Sequence, residues 1–245
     1  MKPSARSAAL LGLVVVLAGG CDVGTPVPDP GVPAFSADRI TLPLAAVDEP
    51  YERIVSAVGG WRPYVWSGDI PVVPWGLSFD PMEDGVRIYG RPTRSGAYSF
   101  DLTVTDDRGA TATATVSLLV VDVIDLWGFW SLQLDVTEAN AACPLSPGEE
   151  ITYPVTIRSS GPYWRLTGFG GDPTSLLLGV REGADVFFNG AYSEAGGTLV
   201  VSLNLTLYEP AEMVGRMTFD WDADGRDGPD CSAGRASILV TRTGP

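Results

Sequence analysis

The stretch "YSFDLTVTDDRGATATATVSLLV", residues 98–120, carries two runs of alternating apolar and polar residues on either side of a turn. In the first run Tyr98, Phe100, Leu102 and Val104 alternate with Ser, Asp and Thr, and the alternation resumes after "DDRG". Successive side chains of a strand point to opposite faces, so each run places its large residues on one face. The stretch therefore predicts an antiparallel β-hairpin with one buried face.

Five shorter strand candidates lie upstream of this hairpin, separated by glycine and proline: "RITLPL", "YERIVSAV", "PYVWS", "GLSF" and "VRIYG". About seven short strands within roughly 100 residues, with a turn after each, are typical of a β-sandwich. We therefore expect one sandwich domain over residues 35–123.

The same segment contains "GGWRPYVWS", "GLSFD" and "VRIYGRPTRSGAYSF". It resembles the immunoglobulin-like domains found, often in tandem, in bacterial surface proteins and related to cadherin-like modules. The positions that carry the resemblance are Gly59, Gly60, Pro63, Tyr64, Trp66, Ser67, Gly76, Leu77, Ser78, Gly90, Pro92, Thr93, Gly96 and Tyr98. The resemblance implies a role in adhesion or spacing and no catalysis.

The second half of the chain, residues 124–245, contains eight further strand candidates. They cover residues 130–136, 151–157, 163–168, 174–180, 185–193, 199–207, 213–221 and 233–242. Their connections are mostly short, which favours an antiparallel up-and-down order, and eight strands can close into a barrel. The predicted fold is all-β, an immunoglobulin-like β-sandwich followed by an eight-stranded antiparallel up-and-down β-barrel.

The barrel half resembles lipocalin-like barrels at three positions. Gly128 and Trp130 form a Gly-x-Trp at the first strand, and Arg242 follows the last strand, where that family packs an arginine across the tryptophan. The resemblance implies a carrier of a small apolar ligand. The alternative is a filled barrel, or a second sandwich, that uses its tryptophan as core.

The N-terminus carries a short positive region with Lys2 and Arg6, an apolar run, and "LAGGC" ending at Cys21. The apolar run is shorter than the roughly 20 residues that span a bilayer. The segment that ends at Cys21 resembles the lipobox of bacterial lipoproteins. This resemblance implies a signal peptide over residues 1–20 and an acylated Cys21 that anchors the protein to the membrane. The alternative is an ordinary secretory signal with a cysteine nearby. Residues 21–34 are rich in Pro and Gly and predict an extended tether.

Two cysteines remain, Cys143 and Cys231, and an exported protein most simply pairs them. In the predicted barrel the connections that carry them open at the same mouth and belong to neighbouring pairs of strands. We therefore expect a disulfide, with two free thiols as the alternative.

The overall charge is strongly acidic. The chain has 30 acidic residues against 16 basic ones, two of which, Lys2 and Arg6, belong to the predicted signal peptide. This charge disfavours nucleic acid as a partner. The chain has no histidine, which excludes Ser-His and Cys-His catalysis and ordinary zinc sites.

The segment "DWDADGRDGPD" offers a candidate Ca²⁺ site. Alternate carboxylates followed by glycine match the first half of a calcium loop, although the glutamate expected at the twelfth position is replaced by Cys231. The candidate ligands are Asp220, Asp222, Asp224, Asp227 and Asp230. The alternative is a solvated acidic loop. For Asp101, Asp106 and Asp107, at and before the "DDRG" turn, a plain turn is favoured over a cadherin-like cation site.

These observations predict a bacterial lipoprotein of the cell envelope, anchored to the membrane on its periplasmic side or at the cell surface. We expect it to be a binding, adhesion or display module and not an enzyme, with a protein or carbohydrate partner. A lipocalin-like carrier is the alternative.

Overall fold

The computed structural model describes residues 31–68, 74–160, 163–194, 196–223 and 230–245, without the side chain of Glu194. Cys21, Asp224 and Asp227 lie outside the described residues. Residues 31–245 form one compact unit.

The first eight strands form the predicted sandwich. They are β1 Arg39–Thr41, β2 Ala45–Ala46, β3 Tyr51–Ser56, β4 Val65–Gly68, β5 Leu77–Pro81, β6 Gly85–Gly90, β7 Gly96–Thr105 and β8 Thr111–Val121. One sheet has the order β1-β8-β7-β4, with β2 also paired to β8, and the other has the order β3-β6-β5. β1 and β2 run parallel to β8, whereas β7 and β8 form the antiparallel hairpin predicted from the alternation.

Apolar residues from both sheets meet between them. Val55 and Ile88 of one sheet pack in one cluster with Phe100, Val116 and Leu118 of the other. The alternation read from the sequence therefore identifies the buried face of the hairpin correctly.

The last eight strands close into the predicted barrel. They are β9 Gly128–Glu138, β10 Glu150–Ser160, β11 Tyr163–Thr167, β12 Leu176–Glu182, β13 Asp185–Glu194, β14 Gly197–Glu209, β15 Glu212–Asp222 and β16 Cys231–Gly244. Each strand is antiparallel to the next, and β16 pairs with β9 to complete the closure. The all-β fold class, sandwich followed by barrel, is confirmed.

The barrel interior is filled with side chains. All eight strands contribute to one buried cluster, in which the largest fully buried side chains are Trp130, Phe169, Phe188 and Phe219. Trp130 donates its indole N–H to the Leu126 carbonyl at 3.0 Å, and the Arg242 guanidinium lies over its ring, 4.8 Å from the centroid. The arginine-over-tryptophan contact is present, but it closes a packed core of the kind that the filled-barrel alternative predicts.

The two ends of the barrel differ. At the junction end, where β9 begins and the Gly183–Ala184 and Pro210–Ala211 turns lie, the barrel meets the sandwich. At the loop end lie the longer connections, residues 139–149, 168–175 and the described part of the β15–β16 connection. This division follows from the up-and-down order, because alternate connections fall at opposite ends.

Residues of the sandwich close the junction end. Leu44 and Ala46 are buried in the barrel cluster, and the Leu44 N–H donates to the Leu207 carbonyl at 2.8 Å. Because β2 lies beside the end of β8 that leads into the barrel, the sandwich and the barrel share part of one core.

The chain enters the sandwich at its opposite pole. Ala34 pairs with Val58, and both lie at the same pole as the β7–β8 turn around Asp106. β8 then runs 11 residues from that turn to the junction end of the barrel. Along the described chain, Gly31 and the loop end of the barrel are therefore at opposite ends.

Candidate functional site

The loop end is held together by a disulfide between Cys143 and Cys231. Their Cα atoms are 4.8 Å apart, and the bond links residues separated by 88 positions. The predicted pairing is confirmed. Cys231 proves to be the first residue of β16 and fully buried, whereas the sequence placed it in the preceding connection.

Phe169 closes the interior at this end. It lies in a short 3-10 turn, Phe169–Gly171, fully buried between the rings of Tyr153 and Tyr192, whose centroids are 5.6 and 5.4 Å away. Gly168 and Gly170 have φ values of 89° and 69°, a left-handed conformation that glycine adopts at little cost. The sequence analysis missed Phe169, although the glycines that surround it were a signal for a sharp turn.

Two of the described candidate calcium ligands, Asp220 and Asp230, accept local hydrogen bonds. An Asp220 carboxylate oxygen accepts the Ala233 N–H at 2.8 Å, and an Asp230 oxygen accepts the Ala223 N–H at 3.0 Å. Within the described ranges no group of three or more His, Cys, Asp or Glu side chains could hold a metal ion. With Asp224 and Asp227 outside those ranges, Ca²⁺ binding stays a prediction.

Asp106 stabilises the turn at the N-terminal pole of the sandwich. Its carboxylate is buried and accepts the backbone N–H groups of Trp61, Ala110 and Arg108 at 3.0, 2.8 and 3.0 Å. These hydrogen bonds, that from Trp61 first, lower the pKa of Asp106 below its usual value. The turn role favoured from the sequence is what the geometry supports.

Two ion pairs tie the sandwich to the β12–β13 turn at the junction. Arg181 donates to both carboxylate oxygens of Glu49 at 2.8 Å, and Arg53 contacts Asp185 at 2.7 Å. The hydrogen bond from Arg181 lowers the pKa of Glu49, and burial raises the pKa of Tyr51. A cleft of about 480 Å³ lies beside these pairs, lined by residues 50–53 and 182–185. Because Arg53 binds Asp185 across it and Glu52 binds Arg87, this cleft is part of the joint between the domains.

Comparison with known families identifies the sandwich. Residues 32–121 match the He_PIG family, described as "Putative Ig domain". These residues are an immunoglobulin-like domain, a fold that suits binding or adhesion modules and is typical of modules without enzymatic activity. A search of curated proteins gave no match.

Solved structures give only weak likenesses. A putative alpha-galactosidase/melibiase from Bacteroides fragilis NCTC 9343 has 20% identity and a TM-score of 0.31, over 37% of this chain and 18% of its own. Protocadherin Gamma B7 cadherin domains 1–4 have 12% identity and a TM-score of 0.31, over 86% of this chain and 49% of their own. Titin domains z1z2, solved with telethonin, have 14% identity and a TM-score of 0.28, over 82% of this chain and 93% of their own.

The chain thus spans less than a fifth of the galactosidase and about half of the protocadherin structure. Because every one of these TM-scores is below 0.5, none of the likenesses bears on the activity of this chain. Nothing helical in the described ranges has the length and apolar character that a membrane-crossing helix requires.

Proposed function

We propose that this protein is a bacterial lipoprotein, held in the cell envelope by acylated Cys21, that acts as a non-enzymatic binding, adhesion or display module. In this proposal residues 21–34 are the tether, the immunoglobulin-like domain is the spacer, and the loop end of the barrel is the recognition head. The partner is a protein or a carbohydrate of the envelope or its surroundings.

The observation that carries the proposal is the placement of the two ends of the described chain. Gly31 enters the pole of the sandwich that is remote from the barrel, and the disulfide-linked connections lie at the opposite extremity. The shared core and the two ion pairs at the junction resist bending between spacer and head. A loop end remote from the pole that the described chain enters suits presentation to a partner.

Neither alternative class has comparable support. A carrier needs an open interior, whereas the described interior is occupied by large side chains such as Trp130 and Phe188. A hydrolase without histidine would need a pair of convergent carboxylates as acid and base. Of the carboxylates that line the junction cleft, Asp185 binds Arg53 and Glu52 binds Arg87.

The anchor is tested by expressing the full chain in a bacterium with an alkyne-labelled palmitate. We expect label on the protein and its recovery with membranes, whereas a Cys21→Ala variant is unlabelled and is released by washing. Cys143→Ala is the matched control, because it removes a different cysteine and should leave the label in place. Label on the Cys21→Ala variant, or an unlabelled parent chain, would refute the anchor.

The calcium site is part of the proposal and has its own test. Titration calorimetry with CaCl₂ should give saturable binding that the Asp222→Asn, Asp224→Asn double variant abolishes. Asp135→Asn, which removes an exposed carboxylate from β9, is the control. Equal heats for parent and double variant would leave the segment as a solvated loop.

A further inference from the structure

Strand β12 is apolar on both faces over five successive residues, Leu176–Val180. Its inward residues Leu177 and Gly179 are buried, yet its outward residues Leu176, Leu178 and Val180 are also apolar and exposed. A wall strand of a filled barrel needs only one apolar face. The outward face of β12 is therefore available for contact with something outside the chain.

The pairing of neighbouring strands extends this face sideways. Val180 pairs with Phe187 of β13, and the Trp164–Gly179 pair places Tyr163 of β11 next to Val180 on the other side. Tyr163, Leu178, Val180 and Phe187 line a shallow groove of about 330 Å³. We call the outward side chains of Tyr163, Leu176, Leu178, Val180 and Phe187 the outer strip.

Two arginines border the outer strip. Arg158 of β10 pairs directly with Arg165 of β11, and Arg165 pairs with Leu178. Both arginines are exposed, and in the described part of the chain neither guanidinium lies within 4.0 Å of a carboxylate. Like charges directly opposite each other on a sheet are unfavourable, so the pair gains from an anion that approaches from outside.

This positive surface stands out against the charge of the whole protein. The chain has a net charge of −14, but the outward positions of β11 from Tyr163 to Thr167 and of β12 from Leu176 to Val180 carry no carboxylate. Glu182, the exposed carboxylate at the end of β12, lies about 13 Å along the strand from Leu178, which pairs with Arg165. Charges are screened over about 8 Å at physiological ionic strength, so acidic residues on the other walls weigh little at this surface. The local charge therefore selects an anionic partner.

The composition of the surface decides between the possible partners. Arginines beside Tyr, Phe, Leu and Val are the combination that lies at the boundary between lipid headgroups and acyl chains. Phe129, exposed on β9 two strands away from β11, adds a third aromatic ring. A second copy of the chain fits poorly, because an isologous interface through the outer strip presents the same residues on both sides and therefore no carboxylate for the two arginines.

We propose that the outer strip and the Arg158–Arg165 pair dock the barrel wall onto a lipid surface that contains anionic headgroups. The guanidinium groups bind phosphates, and Leu178 and its apolar neighbours enter the headgroup boundary. This contact does not depend on the acyl chain at Cys21. It gives the anchored protein a second, weaker contact with the membrane.

The test uses the chain from residue 21 onward with Cys21→Ser, so that no acyl group contributes. The probes are vesicles of phosphatidylcholine alone and of phosphatidylcholine with about one-third phosphatidylglycerol, which carries the negative surface charge. In co-sedimentation we expect binding to the anionic vesicles and weaker binding to the neutral ones. Arg158→Gln with Arg165→Gln should reduce binding to the anionic vesicles to the level of the neutral ones.

Leu178→Asp probes the apolar part, and Leu239→Asp is its matched control. Leu239 is 36% exposed on β16, four strands away around the eight-stranded barrel, and Leu178 is 48% exposed on β12. We expect Leu178→Asp to lower the vesicle partition coefficient about tenfold or more, because it removes a leucine that the lipid would bury and adds a charge. Leu239→Asp should leave the coefficient unchanged. Circular dichroism melting checks that both variants fold.

Three results would overturn the docking proposal. They are no binding of the Cys21→Ser chain to anionic vesicles, equal losses in Leu178→Asp and Leu239→Asp, or a self-association abolished by Leu178→Asp without vesicle binding. The last result would assign the outer strip to a second copy. None of them changes the palmitate labelling of Cys21, so failure of the docking proposal is distinguishable from failure of the anchor.

Discussion

Removal of the disulfide is expected to be the most costly change at the loop end. Cys143→Ser with Cys231→Ala opens a cross-link between residues separated by 88 positions. On the chain-entropy model, closing a loop of that length stabilises the folded state by about 4 to 5 kcal/mol, because it removes conformations from the unfolded chain. Cys231 is fully buried, so Ala at this position adds a small packing loss.

The assay is urea unfolding at neutral pH, followed by tryptophan fluorescence and by far-UV circular dichroism. The variant should lose about 4 to 5 kcal/mol of unfolding free energy, and its m-value should rise because the unfolded chain becomes more expanded. The parent chain under reducing conditions should match the variant. A loss of less than about 1 kcal/mol with an unchanged m-value would refute the loop-closure reasoning.

Three other changes test the loop end, the junction and the N-terminal pole. Gly170→Ala should lower the free energy of unfolding in urea by about 2 to 4 kcal/mol, because φ is 69° and the new Cβ would clash with the ring of Tyr192. Gly148→Ala is the control: its φ is 83° but its surroundings are open, so it should cost about 1 kcal/mol. Leu44→Ala should destabilise the sandwich and the barrel together by about 2 to 5 kcal/mol, so that both unfold in one thermal transition at a lower temperature. A barrel that unfolds at the temperature of the parent chain would contradict the shared core. The pKa of Asp106 is lowered in the folded state, so its carboxylate stabilises the fold above about pH 4, and this contribution is lost as the pH falls through the folded pKa. In urea unfolding measured at several pH values, the midpoint of Asp106→Asn should therefore fall less steeply at acid pH than that of the parent chain. An equally steep fall in both would count against this role of Asp106.

The joint between the domains has a functional consequence. Because Leu44 is buried in the barrel cluster and Arg181 binds Glu49, the sandwich and the barrel are packed against each other and are not joined by a linker alone. The ion pair contributes little by itself where it is partly exposed, and the buried apolar contact dominates. A partner held at the loop end would therefore have a fixed orientation relative to the pole that the chain enters.

Local patterns account for most of the fold. Period-two alternation identifies the hairpin β7–β8 and the strands of the barrel, since a half-buried strand needs one apolar and one polar face. β12 is the exception, because "LLLGV" is apolar on both faces and its alternation is hidden. The sequence pattern does not predict that its outward leucines form a surface, because this depends on the register that places them beside Tyr163 and Arg165.

The sequence by itself determined the fold class, the strand order within the barrel and the pairing of Cys143 with Cys231, because each depends on short-range periodicity or on the parity of connections along the chain. Only the tertiary structure decided that Phe169 closes the loop end, that Leu44 belongs to the barrel core, and that Arg158 lies opposite Arg165. These contacts join residues that are far apart in the sequence, and the local pattern around each residue does not predict its partner. They exist because closure of the barrel and docking of the sandwich bring distant segments to the same place.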